Sequence, residues 1–215
     1  MAQVKPILIL GTRTLAVEVM DLIGDMPGYE VAGFVENLER GICDTPLEGL
    51  PVYWVDDVRR FAGTQWAVCA LSTTHRRKFV EQVAAPGMGF ATLVHPTARV
   101  SKRAVLGEGC FVSAMATVAT HTVLGKHVFV NRGALVGHHT TIGDFCTIQP
   151  GANVAGAITM GESTYVGMGA VVLDKMTIGQ GCVIAAGAVV TADLPERVQA
   201  MGVPAKITKT NIEAK

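Results

Sequence analysis

Apolar side chains recur at every sixth residue from Val94 to Val190. The positions are Val94, Val100, Leu106, Val112, Val118, Leu124, Val130, Val136, Ile142, Ile148, Val154, Met160, Val166, Val172, Ile178, Ile184 and Val190. All are aliphatic or Met, and the register never slips. A helix repeats at 3.6 residues and a hairpin strand at two, so neither explains a period of six. A longer period sits on top: Leu106-Gly107, Leu124-Gly125, Ile142-Gly143, Met160-Gly161 and Ile178-Gly179 recur every eighteen residues. Three hexads therefore make one coil of a triangular solenoid. Two positions before many of the aliphatic residues stands a small one: Ala98, Ala104, Cys110, Ala116, Ala134, Cys146, Ala152, Ala170, Cys182 and Ala188. Small residues are what a tight corner with an inward side chain can hold. About five coils, stacked as parallel strands about 4.8 Å apart, predict a prism about 25 Å long.

Before Val94 the hexad period is absent. Residues 6–10 are a short apolar run that ends at Gly11. Leu15, Val19, Leu22, Ile23 and Met26 then share one helix face, and Pro27-Gly28 ends the helix. Residues 29–35 read as a second strand closing at Glu36-Asn37, 66–71 as a third, and 74–84 as a second helix. Residues 90–94 lead into the first coil. This alternation predicts a small α/β domain with an open parallel sheet over 1–89. A β-helix over 90–194 and a closing segment over 195–215 follow it. Ligands of open α/β sheets bind beyond the C-terminal strand ends. Those ends carry Gly11, Thr12 and Arg13, then Glu36 and Asn37, then Thr73.

Composition narrows the classes. The 215 residues hold 18 Lys+Arg and 18 Asp+Glu, so the net charge is zero. A nucleic-acid binder normally carries a basic excess, so no nucleic-acid partner is expected. The chain is 49% hydrophobic, yet no stretch reaches the ~18 apolar residues of a spanning helix. No membrane span is expected. The first strand is preceded by no basic n-region and followed by no cleavage site, which gives a cytoplasmic reading. The five cysteines are odd in number and lack CxxC spacing, as reduced thiols would be. Cys110, Cys146 and Cys182 share one inward column in alternate coils, about 9.6 Å apart, which is too far for one metal.

Four of the six histidines lie in the coils: His121, His127, His138 and His139. His138 and His139 fall off the inward column. Adding eighteen to 138 gives Gly156, one coil along, with an N–H left open to a ligand. Adding eighteen to 121 gives His139, so those two rings are expected to stack. With no Cys or carboxylate in that register, no metal site is expected there.

The repeat closely resembles the hexapeptide-repeat acyltransferases, whose coils form a left-handed parallel β-helix, against the usual right-handed crossover. A small α/β domain ahead of such a helix resembles, over essentially the whole chain, the bacterial sugar acetyltransferases. These act on sialic acid or on nucleotide-linked amino sugars. Residues 136–143, Val-Gly-His-His-Thr-Thr-Ile-Gly, match the family's active-site segment, where His and an acidic residue precede the aliphatic-Gly pair. The resemblance implies His138 as the base that deprotonates an amine or hydroxyl attacking a thioester. His139 stands where the family has Glu or Asp; an imidazole orients its neighbour but cannot neutralise a cation. The same resemblance gives the Gly156 N–H as oxyanion donor, and Asn131 and Thr147 as residues lining the site.

Acetyl-CoA is the implied acyl donor, with no metal. Its arm would run along a coil edge between two subunits of a homotrimer, past Gly167, Gly169, Ala170, Gly187 and Ala188. Residues 202–206, Gly-Val-Pro-Ala-Lys, match the family's closing motif and would set Lys206 against a CoA phosphate. The first turn binds a sugar nucleotide in the family, but here it has one glycine, and Glu36-Asn37 replaces an acidic pair. N-acetylation of a nucleotide-linked amino sugar is the leading reading. The alternatives are O-acetylation of a free sugar such as sialic acid, and a non-catalytic β-helix binding or scaffold protein.

Overall fold

The computed structural model describes residues 4–213. Its first sheet has strands β1 Lys5–Leu10, β2 Tyr29–Glu36, β3 Val52–Trp54, β4 Trp66–Cys69 and β5 Gly89–Phe90. All are parallel, in the order β3-β2-β1-β4-β5. Helices α1 Thr14–Gly24 and α2 Arg76–Ala84 cover opposite faces. That explains the unbroken apolar run: Ile7 and Ile9 pack toward α1, Leu8 and Leu10 toward α2, and all four are fully buried.

Two strands lie outside the expectation from the sequence pattern. β3 forms because Phe34 N–H donates to the Pro51 carbonyl at 2.9 Å. That approach requires Gly33, since a Cβ there would lie 2.7 Å from the same carbonyl oxygen. β5 pairs Phe90 with Ala67, which keeps Phe90 in the first sheet rather than in the first coil. β4 stops at Cys69, short of Leu71, and α2 begins at Arg76 rather than at 74.

From Leu93 onward the chain forms the parallel β-helix. From Leu93 to Val172 each two-residue strand pairs with the one eighteen residues on, as Thr117 with Leu135 and Val118 with Val136; in the last coil the step shortens to sixteen, as Val183 with Gln199. The three faces hold six, five and eight strands. The largest includes Gln199–Met201, which adds in parallel, and Lys206–Lys209, which adds antiparallel. The hexad residues from Val112 onward are buried, whereas Val94, Val100 and Leu106 in the first coil are only partly covered.

The small-residue column points inward as expected, with Cys110, Ala116, Ala134, Cys146, Ala152, Ala170, Cys182 and Ala188 fully buried. Where Thr or Cys occupies it, the side chain donates to a corner carbonyl of the next coil. Thr122 reaches Gly137 at 2.8 Å, Cys110 reaches Gly125 at 3.0 Å and Cys146 reaches Gly161 at 3.1 Å. A buried carbonyl is thereby satisfied. The thiols are free, and burial pushes Cys110 up to about 11 and Cys146 up to about 12. The eighteen-residue glycines have a steric cause. A Cβ at Gly143, Gly161 or Gly179 would lie 2.4–2.6 Å from a backbone nitrogen of the next coil.

The sheet and the β-helix share a core. Leu93, Phe111 and Phe129 project outward from one prism face into the α1 side of the sheet, beside Ile7, Ile9 and Val68. Phe111 and Phe129 stack with centroids 5.1 Å apart. Beside them Arg76, 1% exposed, enters from the first turn of α2. Its Nη1 donates to the Thr73 carbonyl at 2.8 Å and Thr147 Oγ1 at 2.7 Å. Its Nη2 donates to the His127 carbonyl at 2.6 Å and the Cys146 carbonyl at 2.8 Å. These oxygen dipoles stand in for a counter-ion. Arg76→Met is expected to destabilise the protein by about 3 kcal/mol in urea unfolding, because buried acceptors lose their donor. Arg76→Lys should not restore it, since one ammonium cannot span the same fork.

His127 lies between Phe90 and Phe145, at 4.7 and 4.9 Å. Its Nδ1 has no hydrogen-bond partner among the described residues. Burial, with Arg76 nearby, lowers its pKa from 6.5 to about 4. Between those values the unfolded chain binds the extra proton and the folded chain does not. Stability is therefore full above pH 6.5, falls as pH drops toward 4, and levels off below. The loss should be at most about 3 kcal/mol, less where water screens the ring edge. Unfolding of a His127→Phe variant measured across this range should lack that slope.

Candidate active site

The C-terminal ends of β1, β2 and β4 form a crevice lined by Gly11, Thr12, Arg13, Glu36, Asn37, Leu38, Leu71 and Phe79. Glu36 is 5% exposed. Its Oε1 accepts the N–H groups of Asn37 and Leu38 at 2.9 and 2.7 Å, and its Oε2 accepts the Thr12 hydroxyl. Burial alone would raise its pKa, but these donors outweigh it and the carboxylate is held below its ordinary value. Glu36 therefore shapes the loop from within, and its acceptor capacity is largely spent. Arg13 is exposed and pairs with Glu39 at 2.5 Å, a contact worth little in water. Asn37 Nδ2 donates to Gln82 at 2.8 Å. Thr73 Oγ1 accepts the His75 N–H at 3.2 Å, turning the chain into α2.

The histidine cluster occupies one corner of the β-helix, between the strands Leu135–Val136 and Thr141–Ile142. The backbone is left-handed at His121 and at His139, with φ of 57° and 55°. The coil stacking then sets His121 and His139 ring to ring, with centroids 4.9 Å apart and a 33° tilt. His138 meets His139 edge to face, at 5.3 Å and 82°. The two Nδ1 atoms are 3.1 Å apart.

With Nδ1 engaged, Nε2 is the free nitrogen of His138, and it lies over Gly156. A Cβ on Gly156 would sit 2.7 Å from both Nε2 and Cε1. The Gly156 N–H has no intramolecular acceptor among the described residues. The exposed His138 imidazole thus lies directly over the buried backbone of Gly156, whose N–H has no acceptor of its own among the described residues. That pairing suits a reaction that removes a proton while negative charge builds on an oxygen.

Other sequence-predicted residues are placed differently. Thr147 is fully buried, with its hydroxyl beneath the Arg76 guanidinium, so it is closed off from any ligand. Ala170 and Ala188 point into the prism core and cannot line a surface groove. Gly167 is buried, and a Cβ there would lie 2.5 Å from the Ala186 nitrogen. Gly169 and Gly187 are exposed, with open space where a Cβ would stand. Lys206 is exposed at the start of the antiparallel strand. Asn131 is 4% exposed and bonds Gln149 Oε1 at 3.3 Å. Stepping back eighteen from Asn131 gives Ser113, buried without a partner for its hydroxyl among the described residues. Of this buried polar column the sequence reading named only Asn131, although the same step reaches Ser113 and Gln149.

Among the described residues, no group of three or more His, Cys, Asp or Glu is arranged to hold a metal ion. No helix among them is long and apolar enough to cross a membrane. Gly156→Ala is expected to leave the melting temperature unchanged and to displace the His138 ring. The clash falls on an exposed side chain, and the test is the His138 ring signals in an NMR spectrum of the folded protein.

Residues 121–156 and 157–192 match the family model described as bacterial transferase hexapeptide (six repeats). No curated protein matches the sequence significantly. Solved structures do. The acetyltransferase domain of PglB from Neisseria gonorrhoeae, in complex with acetyl coenzyme A, is 30% identical with a TM-score of 0.86. That match covers 95% of this chain and 99% of that one. PerB from Caulobacter crescentus, in complex with CoA and GDP-perosamine, is 30% identical with a TM-score of 0.86, covering 95% and 97%. WeeI from Acinetobacter baumannii is 26% identical with a TM-score of 0.84, covering 94% and 99%. The protein belongs to the hexapeptide-repeat acetyltransferases, those in which an α/β sheet precedes a left-handed parallel β-helix.

Proposed function

We propose that the protein moves an acetyl group from acetyl-CoA to the amine of a nucleotide-linked amino sugar. The observation that carries this is the His138 imidazole seated on the bare backbone of Gly156. It stands in a chain alike over 95% of its length to a protein solved with CoA and GDP-perosamine. His138 Nε2 takes a proton from the sugar amine as nitrogen attacks the thioester carbonyl. The Gly156 N–H receives the charge that develops on the carbonyl oxygen. The C–N bond forms, the C–S bond breaks, and CoA leaves as its thiol. The likeness to an amine acetyltransferase favours this over a hydroxyl acceptor such as sialic acid.

In this reading residues 1–89 take the nucleotide at the crevice of Gly11, Thr12, Arg13 and Asn37, with Glu36 holding its wall and Thr73 in the turn ahead of α2. Residues 90–194 carry out the transfer, and of the 195–215 segment residues 195–213 close the prism, with 214–215 lying outside the described residues. The exposed glycines Gly169 and Gly187 would leave room for the pantetheine arm, and Lys206 would meet a CoA phosphate. The active form would be a cytoplasmic homotrimer. Val105, Val123 and Leu135 are exposed on the two faces flanking the histidine corner. Threefold closure would cover them and bring a second copy against that corner.

The test is CoA release from acetyl-CoA across nucleotide-linked amino sugars and free sialic acid, with His138→Ala beside the wild type. Turnover of an amino sugar, reduced by about 10²-fold or more in the variant, is the expected result. Turnover of sialic acid alone would overturn the amine assignment.

A further inference from the structure

The two imidazoles at the corner meet through like nitrogens, and that constrains where their protons are. Nδ1 of His138 and Nδ1 of His139 are 3.1 Å apart. Such a contact is a hydrogen bond only if one nitrogen carries the proton and the other offers a lone pair. A base working through Nε2 must keep that atom bare. The neutral His138 ring then has its proton on Nδ1 and donates it to His139. His139 accepts through Nδ1 and carries its own proton on Nε2.

We propose that His138 and His139 form a two-imidazole proton relay, with His139 as the transient proton store and His121 as the positioning residue that holds its ring. The proposal rests on His138 being the base. As the amine attacks, its proton bonds to His138 Nε2 and the Nδ1 proton passes to His139 Nδ1. His138 is again neutral, now with its proton on Nε2, and the positive charge sits on His139. When the C–S bond breaks, His138 Nε2–H protonates the departing thiolate, and His139 Nδ1 returns its proton to His138 Nδ1. The amine has lost one proton and the thiol has gained one. Both rings end in their starting tautomers, and no outside acid or base is used.

A carboxylate beside His138 would hold the imidazolium by its charge. A neutral imidazole cannot, but it accepts the proton outright. The stack with His121, at 4.9 Å, keeps the His139 ring turned so that Nδ1 faces His138. A neutral His121 ring also presents a π face to His139 when His139 is cationic. Protonation of His121 would oppose that charge. The other charged groups on this corner are Lys102 and Arg103 one coil before His121, and the Asp174–Lys175 pair one coil beyond Gly156, 3.8 Å apart.

Imidazole ¹⁵N NMR on the full-length protein without ligand tests the pairing. The expected result is a protonated His138 Nδ1 with a through-hydrogen-bond coupling to His139 Nδ1. Nε2–H tautomers on both rings, without coupling, would overturn the proposal. Kinetics with acetyl-CoA and GDP-perosamine, or another amino sugar that the panel selects, test the transfer. His139→Asn can orient His138 through its amide oxygen but cannot accept a proton. About a tenfold fall in kcat with KM unchanged, and loss of one ionisation from the pH profile, is expected. An unchanged kcat would mean that orientation suffices, and the relay would fall while the base stood.

His121→Ala should lower kcat about fivefold and weaken the NMR coupling, and His121→Phe should restore both. The fold tolerates Phe in this left-handed position, as Phe145 shows with φ 58°. A Phe variant as impaired as the Ala variant would overturn the positioning role. If the coupling is present but no acceptor turns over, the acetyl-transfer reading fails and the relay fails with it.

Discussion

Until the closing coil, each turn of the β-helix consumes eighteen residues, and each face pairs with the residue eighteen further along. This stacking constraint fixes the rest. It places small side chains inside the corners, because three faces only a few residues wide leave no room for more. It excludes a Cβ at the glycines after the aliphatic positions, where the next coil's backbone approaches closest. It also makes the site. His138 lies on Gly156, and His121 lies on His139, because each pair is one coil apart. No loop holds these groups in place; a hydrogen-bonded ladder does, which is a rigid way to hold an imidazole over a backbone N–H.

The second constraint is the joint between sheet and prism. A β-helix face is flat and would ordinarily be polar outside. Here Leu93, Phe111 and Phe129 occupy its outward positions and pack under the sheet. Arg76 completes the seam with donors to Thr147 and to the carbonyls of His127 and Cys146. A guanidinium suits this role because one planar group can satisfy several fixed oxygens at once. The seam locks α2, and the Thr73 turn that precedes it, onto the coils. The crevice at the strand ends is therefore held at a set position relative to the prism.

The prism was almost entirely legible in the sequence, because its period involves only inward residues and those cannot vary freely. The histidine corner was legible for the same reason: the eighteen-residue step alone gave Gly156 against His138 and the stack of His121 on His139. What escaped depends on outward contacts or on single close approaches. Thr147 sits in an outward column like a ligand residue, and only the α/β sheet above it shows that it is sealed. Its neighbours in that column, Leu93, Phe111 and Phe129, carried the signal, since large apolar residues facing outward imply a cover. The sequence offers Ala170 and Ala188 both as inward corners and as a groove, and the packing permits only the first. β3 is three residues long and depends on Gly33 meeting Pro51, a contact no periodicity encodes. Glu36 shows the converse case. An acidic residue at a strand end looks free to bind, yet four donors claim it.

This division of labour bears on how such a chain changes acceptor. In the proposed reading the chemistry resides in a corner whose geometry follows from the coil repeat, and recognition resides in the crevice. Substitutions at the corner disturb neighbours one coil away in both directions, because Gly156 leaves no room above His138 and His121 fills the space below His139. The crevice has no such coupling. Arg13 and Asn37 are held by surface contacts to Glu39 and Gln82, and these can be exchanged at small cost to stability. The departures at Arg13 and Asn37 fall where the physics leaves freedom, while buried Glu36 stays tied to the Thr12 hydroxyl. The departure at His139 falls where it does not, and the proton relay explains how a second imidazole can occupy that position and still serve the base beside it.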